Sequence, residues 1–368
     1  MIKAPNKSHS ILKPVSIITI VGLALLLSGC AEVVHFDHRP MLSVLGQFEN
    51  APARGPGETN MPVRPLPDRT NAVGLAPSPG QGLAQHPFLY YGEGNNVLYV
   101  VNHGKVIWTY AFPKGGEIDD AWMLSNGHIV CTTMKHCYEV TPDKRIVWSY
   151  DCPAGTEIHA LQPVGLDQVM VVENGLPPHL YIFNKKDNSK AVQHELPALS
   201  ATDPKTVHTQ FRNCRMTGQG TYLLPFLKEG RIVEYDKNWN EIWTTKAEGP
   251  WSAVRLKNGN TLVPGDNHAY VHEVNPQGNI VWAIERNDLP GIELRVVQTA
   301  NRLDNGNTVF CNRGGSSTNR FGIVQVIEVT PDKKVVWAVR DWNALGPATG
   351  IQLLDQSGIP ENPGDLQR

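Results

Sequence analysis

The 368-residue sequence lacks an excess of charge of either sign. Its 33 Lys and Arg residues stand against 35 Asp and Glu residues, so the formal net charge is −2. No overall positive field is therefore available to hold a nucleic acid. The 41 % of hydrophobic residues also argues against a disordered acidic chain. These properties exclude a dedicated nucleic-acid binder and predict a folded protein with a sizeable core.

Cysteine is scarce, with six residues in the whole chain. None forms a CxxC motif or a zinc-ligand group with neighbouring histidines, and the sequence predicts no metal site. We expect no cysteine nucleophile and mostly buried free thiols, with a Cys131–Cys137 disulfide across neighbouring strands as the alternative. Beyond Cys30 the cysteines are five, an odd number that leaves at least one unpaired: Cys131, Cys137, Cys152, Cys214 and Cys311.

The N-terminal apolar run is too short for a stable transmembrane helix. It covers residues 15–27, whereas about 20 residues are needed to cross the hydrocarbon core. A basic head with three lysines precedes it, which is typical of a secretory signal peptide. The run ends in Leu27-Ser28-Gly29-Cys30, which resembles the lipobox of bacterial lipoproteins. This resemblance implies a signal peptide over residues 1–29 and a lipid on Cys30, with a chance cysteine after an ordinary signal peptide as the alternative.

The residue that follows Cys30 is Ala31 rather than aspartate. By resemblance to enterobacterial lipoproteins, this favours the outer membrane, with the protein on its periplasmic or surface face. Eight prolines then lie between Pro52 and Pro87, in a stretch without apolar periodicity that cannot fold alone. We therefore expect a lipidated Pro/Gly-rich tether over residues 30–85.

A tryptophan-centred motif repeats along the rest of the chain. Trp108, Trp148, Trp243, Trp282 and Trp337 each follow one or two β-branched residues, and His194 lies in a degenerate copy. The mean interval is roughly 46 residues, the length of a four-stranded propeller blade. Asn-Gly pairs, as at Asn126-Gly127, favour tight hairpin turns. No stretch of the body has helical periodicity, so we expect an all-β fold.

Six motif copies predict a six-bladed β-propeller over residues 86–356. The first copy lacks a full opening segment, whereas residues 348–355 form an opening strand without a blade. We therefore expect the C-terminal strand to complete the first blade and close the ring, which removes exposed sheet edges. Residues 357–368 are predicted to be a loop-like tail.

The repeat resembles the blades of quinoprotein-like and aryl sulfotransferase-like propellers, and most closely bacterial lipoproteins with PQQ-binding-like repeats. The resemblance implies the fold, whereas blade motifs say little about chemistry. PQQ is not expected, because quinoproteins that bind it tightly have eight blades and adjacent paired cysteines; the cofactor stays undetermined. We expect the motif tryptophans to be wedges between blades, with a ligand-stacking platform as the alternative.

The opening strands of the blades line the central channel, and their polar residues form the candidate site. Within it, we expect His159, His208 and Arg212 to be catalytic, since aryl sulfotransferases resembling this fold use a channel histidine flanked by His and Arg. Of Asp119 and Asp120, one should face the channel as a general base or cation ligand. The expected ligand-binding residues are Asp119, Asp120, Trp251, Arg255, Arg295 and Gln298.

Clustered guanidinium and imidazole groups suit a small anionic or polyhydroxylated, sugar-like ligand. A channel that is polar because it holds water is the alternative. Two functions follow from the sequence. One is an exported, membrane-anchored propeller that binds such a ligand, with aryl sulfotransferase-like transferase or lyase activity left open. The other is a non-catalytic scaffold whose rim loops hold another protein of the cell envelope.

Overall fold

The computed structural model describes residues 1, 39–55, 58, 78–94, 96–112, 116–314 and 322–368. The predicted signal peptide beyond Met1, the predicted lipidation site Cys30 and much of the predicted tether lie outside these residues. Within the described part of the chain, no helix combines the length and the apolar character needed to span a membrane.

Six antiparallel sheets of four strands each form the body, which confirms the predicted six-bladed β-propeller. The strands of blade 1 are β1 (Phe88–Tyr91), β2 (Val97–Asn102), β3 (Lys105–Ala111) and β24 (Gly350–Leu353). The strands of blades 2 and 3 are β4 (Asp120–Met123), β5 (Ile129–Thr132), β6 (His136–Val140), β7 (Ile146–Asp151), β8 (Glu157–Val164), β9 (Gln168–Asn174), β10 (His179–Asn184) and β11 (Lys190–Glu195). The strands of blades 4 to 6 are β12 (Arg215–Met216), β13 (Tyr222–Phe226), β14 (Arg231–Tyr235), β15 (Glu241–Lys246), β16 (Val254–Arg255), β17 (Thr261–Gly265), β18 (Tyr270–Val274), β19 (Ile280–Ile284), β20 (Val297–Arg302), β21 (Thr308–Asn312), β22 (Val326–Val329) and β23 (Val335–Val339).

The C-terminal strand β24 is the innermost strand of blade 1. It pairs with β1 in antiparallel register, with Leu89 opposite Gln352. Strand β24 also adjoins β4 of the second blade and β20 of the sixth. The first and the last strand of the propeller therefore share one sheet, and the inner strands surround a common axis.

The repeat tryptophans act as wedges between neighbouring blades, as predicted. Trp108 donates its indole N–H to the carbonyl oxygen of Pro142 in blade 2 at 2.8 Å, and Trp243 donates to that of Pro276 in blade 5 at 2.9 Å. In the degenerate copy, His194 instead stacks on Trp239 of blade 4 at a centroid distance of 3.7 Å. The motif is therefore structural, and these side chains are not ligand platforms.

A second repeated element, a glutamate on the third strand, also joins consecutive blades. Glu234 of blade 4 forms an ion pair with Arg255 of blade 5, and Glu273 of blade 5 pairs with Arg302 of blade 6 at 2.6 Å. Arg255 also lies over the ring of Trp243, 4.7 Å from its centroid. The prediction that Arg255 binds ligand is therefore wrong, because its guanidinium is held between two blades by Glu234 and Trp243.

Part of the predicted tether is packed against the propeller. A 3₁₀ turn (Pro40–Val44) and the short helix α1 (Gly46–Glu49) bury Met41, Val44 and Phe48. The Phe48 ring meets that of Trp108 edge-on at 5.4 Å. Residues 39–55 therefore differ from the extended chain expected there, because their apolar residues recur at helical spacing and cover blade 1.

The tail lies across the turns that follow the inner strands. The Gly165 N–H donates to the carbonyl oxygen of Glu361 at 2.7 Å, and the Arg302 N–H donates to that of Gln367 at 3.0 Å. The Glu361 carboxylate accepts a hydrogen bond from the Ser125 N–H at 3.1 Å. These contacts reach blades 2, 3 and 6, so residues 357–368 cover one end of the channel. Access from solvent is then expected at the other end, where the inner strands begin.

The five cysteines beyond Cys30 are free, and four of them are buried: Cys131, Cys137, Cys214 and Cys311. This confirms the expectation of buried free thiols and excludes the alternative Cys131–Cys137 disulfide in this structure. Burial raises the pKa of the Cys311 thiol to about 12. Such thiols are protonated at neutral pH and are poor nucleophiles.

Candidate functional site

A cluster of ionisable side chains lies where the inner strands of blades 2 and 3 begin. We call it the mouth cluster, and it consists of Glu117, Asp119, Glu157, His159 and His208. The segment before β4 carries Glu117 and Asp119, and β8 carries Glu157 and His159. Strand β8 has a β-bulge between Ile158 and Ala160, so regular alternation does not by itself set the direction of His159. Each segment nevertheless brings two of these side chains into the cluster.

His159 lies at the centre of the mouth cluster and is only 1 % exposed. Its Nδ1 is hydrogen-bonded to Oδ2 of Asp119, and its Nε2 lies 3.0 Å from Oε2 of Glu157. Both ring nitrogens therefore face carboxylates. A carboxylate on one ring nitrogen is also the usual support for an imidazole that binds a cation through the other.

His208 reaches the cluster from a different kind of element than predicted. It lies on a 3₁₀ turn (Pro204–Thr209) before β12 rather than on an inner strand. Its Nδ1 lies 2.8 Å from Oε2 of Glu157, and its ring centroid is 5.1 Å from that of His159. The side chain is 47 % exposed. The structure thus brings the two histidines together, with His208 on the solvent side.

The carboxylates of the mouth cluster differ in their electrostatic environment. Burial opposes ionisation of Glu157, but hydrogen bonds from His159 and His208 hold its pKa well below the usual range. The hydrogen bond to Glu157 in turn raises the pKa of His208 against the effect of burial. Burial and the charge of Asp119 raise the pKa of Glu117. The cluster therefore contains one strongly ionised carboxylate beside one that protonates more readily.

Arg212 and Trp251 extend the polar region toward blades 4 and 5. The guanidinium carbon of Arg212 lies 4.7 Å from the Trp251 ring centroid. Its Nη1 donates to the carbonyl oxygen of Phe211 at 3.1 Å, and burial lowers its pKa. This cation–π contact inside the protein holds the guanidinium in place.

Seven buried polar atoms in this region have no hydrogen-bond partner, although buried polar groups are nearly always paired. Contacts connect these residues: the Asn213 side chain donates to the backbone of Asp119 at 3.2 Å, and Asn213 forms a β-bridge with Ser252. Ordered water or a bound ligand would supply the missing partners. The atoms are Asp119 Oδ1, Arg212 Nε, Asn213 Oδ1, Trp251 Nε1, Ser252 Oγ, Asp266 Oδ1 and Gln298 Oε1.

Two further predicted ligand-binding residues are engaged in other contacts. Asp120 forms a bidentate ion pair with Arg215, at 2.7 and 3.2 Å. Arg295 pairs with Glu293 through two bonds of 2.7 and 3.0 Å, in the loop before β20. Adjacent residues point to opposite sides, which explains why Asp119 joins the mouth cluster while Asp120 binds Arg215.

Sequence reasoning missed three acidic members of the region, Glu117, Glu157 and Asp266. The first two were visible, since each lies two residues before Asp119 or His159 in an opening segment. Asp266 lies in the turn between β17 and β18, where the repeat carries no signal. Burial raises the pKa of Asp266, and Gln298 beside it donates to Glu93 at 2.7 Å.

No family model and no curated protein matches this sequence. Among solved structures, a protein of unknown function from Bacteroides caccae has a TM-score of 0.66 and 25 % identity, over 72 % of this chain and 97 % of that one. A catalytically inactive virginiamycin B lyase from Staphylococcus aureus, solved with quinupristin, has a TM-score of 0.49 and 12 % identity, over 72 % and 88 % of the chains. A streptogramin B lyase has a TM-score of 0.48 and 10 % identity, over 68 % and 82 %. The Bacteroides caccae protein therefore shares the fold of this chain.

Proposed function

We propose that this protein is an exported, lipid-anchored propeller that binds a small polyhydroxylated molecule, such as a sugar, at the channel mouth. The seven unpaired buried polar atoms support this proposal. Four of them are oxygens, two from carboxyl groups and two from amide groups. Two are N–H donors on Arg212 and Trp251, and the seventh is the Ser252 hydroxyl. A hydroxyl group both donates and accepts, so a molecule with several hydroxyls matches the mixed set.

The charge balance favours this ligand over an anionic one. Of the three arginines expected at the site, Arg255 and Arg295 are paired with glutamates elsewhere. Arg212 and His208, whose pKa is raised, are therefore outnumbered by four acidic side chains, those of Glu117, Asp119, Glu157 and Asp266. A carboxylate or sulfate ligand would be repelled, whereas neutral hydroxyls carry no such penalty.

A lyase or transferase activity at this site would need a proton donor. His208 has a raised pKa and is half exposed, so it is the protonated group that an incoming ligand meets first. If the protein is an enzyme, His208, His159 behind it and the nearby Arg212 are the proposed catalytic residues. The binding proposal does not depend on catalysis.

The binding experiment compares a neutral sugar, a uronate and an aryl sulfate by isothermal titration against the full-length protein. We expect the neutral sugar to bind best. Trp251→Phe removes one N–H donor at the mouth and should weaken sugar binding about tenfold, as expected for the loss of one ligand hydrogen bond. Trp243→Phe makes the same chemical change at an outer blade edge and is the matched control.

Two outcomes would contradict the binding proposal. One is tighter binding of the uronate or the aryl sulfate than of any neutral sugar. The other is sugar binding that Trp243→Phe weakens as much as Trp251→Phe, because the ligand would then lie outside the mouth.

Lipid anchoring rests on the sequence around Cys30. We expect the wild-type protein in the membrane fraction of a bacterial host. Cys30→Ser should appear in the soluble exported fraction because it lacks the thiol to which the lipid is attached. Equal membrane association of both would contradict the anchor.

Exposed apolar residues on the outermost strands favour the second candidate function, a scaffold. Val147 of blade 2 is 48 % exposed and Ile280 of blade 5 is 56 % exposed. A β-branched residue exposed on an edge strand offers a partner protein apolar surface beside unpaired backbone groups. If the scaffold function holds, Val147→Lys or Ile280→Lys should release a stoichiometric envelope partner that remains bound to Trp251→Phe.

A further inference from the structure

We propose that the mouth cluster binds one divalent transition-metal ion of the zinc class through His159, Glu157 and His208. The coordinating atoms would be His159 Nε2, a carboxylate oxygen of Glu157 and His208 Nδ1. This site goes beyond the ligand-binding function proposed above and does not rest on it. With the metal bound, His208 would be a neutral ligand rather than the proton donor described above.

The three side chains already have the spacing of metal ligands. Their ligand atoms lie within 4.8 Å of one another, with Glu157 Oε2 at 3.0 Å from His159 Nε2 and 2.8 Å from His208 Nδ1. Ligands about 2.0 Å from a tetrahedral zinc ion are separated by about 3.3 Å. The two distances from Glu157 would therefore need to lengthen by only a few tenths of an ångström to admit the ion.

Asp119 supplies the supporting contact that metal-bound histidines usually have. It accepts a hydrogen bond from His159 Nδ1, which fixes the tautomer that leaves the lone pair on Nε2. A carboxylate behind a ligating imidazole orients the ring and increases its basicity. Asp119 is fully buried, and its second oxygen, Oδ1, lacks a hydrogen-bond partner.

The charge of the cluster also calls for a cation. The mouth cluster holds three acidic side chains, those of Glu117, Asp119 and Glu157, beside two imidazoles. Metal binding requires neutral imidazole, and a divalent ion then balances most of the negative charge. The partly buried setting makes such compensation more important than it is in water.

The donor set selects the class of ion. Two imidazole nitrogens and one carboxylate suit zinc and its neighbours in the first transition series, whereas Mg²⁺ and Ca²⁺ prefer oxygen ligands. Three protein ligands leave one position for water, and His208 lies on the solvent side. The site therefore has the open coordination that is typical of reactive zinc centres rather than of closed structural ones.

The test is a titration of chelator-treated, full-length protein with Zn²⁺ alone, followed by Co²⁺ substitution. We expect one Zn²⁺ per chain and a visible d–d spectrum with Co²⁺. His208→Ala and Glu157→Gln should each weaken binding at least tenfold. Asp119→Asn should weaken it by a factor of 10 to 100, as for other supporting carboxylates.

His136→Ala is the matched control, because His136 forms a comparable hydrogen bond of 2.7 Å with Asp151 at the blade surface. It should retain wild-type Zn²⁺ affinity. The proposal is overturned by Mg²⁺ binding as tightly as Zn²⁺, by no stoichiometric binding, or by affinity that survives both His208→Ala and Glu157→Gln. Because the titration contains Zn²⁺ and no organic ligand, its outcomes are independent of the sugar-binding proposal.

Discussion

His86 Nε2 lies 3.1 Å from Oε2 of Glu328, which joins the start of blade 1 to the third strand of blade 6. The opposite nitrogen, Nδ1, lies 2.7 Å from Oδ2 of Asp355, just after β24. Glu328 is the last of the repeated third-strand glutamates, and a histidine here takes the place of the arginine found between blades 5 and 6. The junction where the propeller closes is therefore held by His86 and two carboxylates, all of which can titrate.

The stability of this junction should depend on pH. Although burial lowers the pKa of His86, hydrogen bonds to Asp355 and Glu328 raise it from 6.5 to about 9. The contribution should be complete below pH 6.5 and lost as the pH rises through about 9. Burial raises the pKa of both carboxyls, but the His86 hydrogen bonds lower it overall, so the same contribution is also lost in acid.

Denaturant unfolding of the wild type and His86→Asn at pH 6, 8 and 10 measures this effect. We expect a difference in the free energy of unfolding of at most about 3 kcal/mol at pH 6, which shrinks toward pH 10. His136→Asn, at an exposed pair, should show almost no difference at any pH. A pH-independent difference for His86→Asn would refute the titration of this junction.

Trp148 tests the role of the repeat motif. Its indole N–H donates to Oδ1 of Asn188 in blade 3 at 2.7 Å, and its ring is buried. Trp148→Phe keeps most of the wedge and should lower the free energy of unfolding by about 1–2 kcal/mol, whereas Trp148→Ala should lower it by about 3–5 kcal/mol. Thermal and denaturant unfolding would show this order. Similar values for the two variants would mean that packing of the ring contributes little.

Asp120 and Arg215 should matter for stability rather than for binding. Asp120→Asn leaves the buried guanidinium without its ion-pair partner and should destabilise the fold by about 3 kcal/mol. The double variant Asp120→Asn/Arg215→Met should lose less than the sum of the single changes, because both single changes remove the same pair. Denaturant unfolding measures this, and Zn²⁺ titration should show little change. A large loss of Zn²⁺ affinity in Asp120→Asn would instead assign this residue to the mouth.

Thiol accessibility follows from the burial of the cysteines. In the native protein, we expect a thiol reagent to modify Cys152 alone among the five described cysteines, because it is partly exposed. Burial also raises the pKa of this thiol, so the reaction should be slow at neutral pH. In denaturant, all five should react, as counted by mass spectrometry. Fewer than five reactive thiols after unfolding without reductant would reveal a disulfide.

The fold could be predicted because each blade is a local unit of sequence. A tryptophan strand, an Asn-Gly turn and a β-branched strand recur within about 46 residues, and such repeats bury their faces only against one another. The tail contacts and the packed segment at 39–55 could not be predicted this way. They occur once, so no repetition distinguishes them from loops.

The site was predictable only where strand order brings residues to the axis. Asp119, His159, Trp251 and Gln298 lie at or beside the inner strands, and the structure gathers them near one mouth. Arg255 lies on the inner strand β16 too, yet its long side chain reaches back between blades to Glu234. The position of a polar residue on an inner strand did not distinguish these two outcomes, because its side chain can point into the channel or reach a partner on the neighbouring blade.

The order of residues alone determined the number of blades, the wedge role of the repeat tryptophans and the segments that border the axis, because these depend on periodicity within about 50 residues. Only the three-dimensional structure decided that Glu157 lies between two histidines and that Arg255 and Arg295 pair elsewhere. Such contacts join side chains far apart in the chain, and competition among partners within a few ångströms selects which of them form.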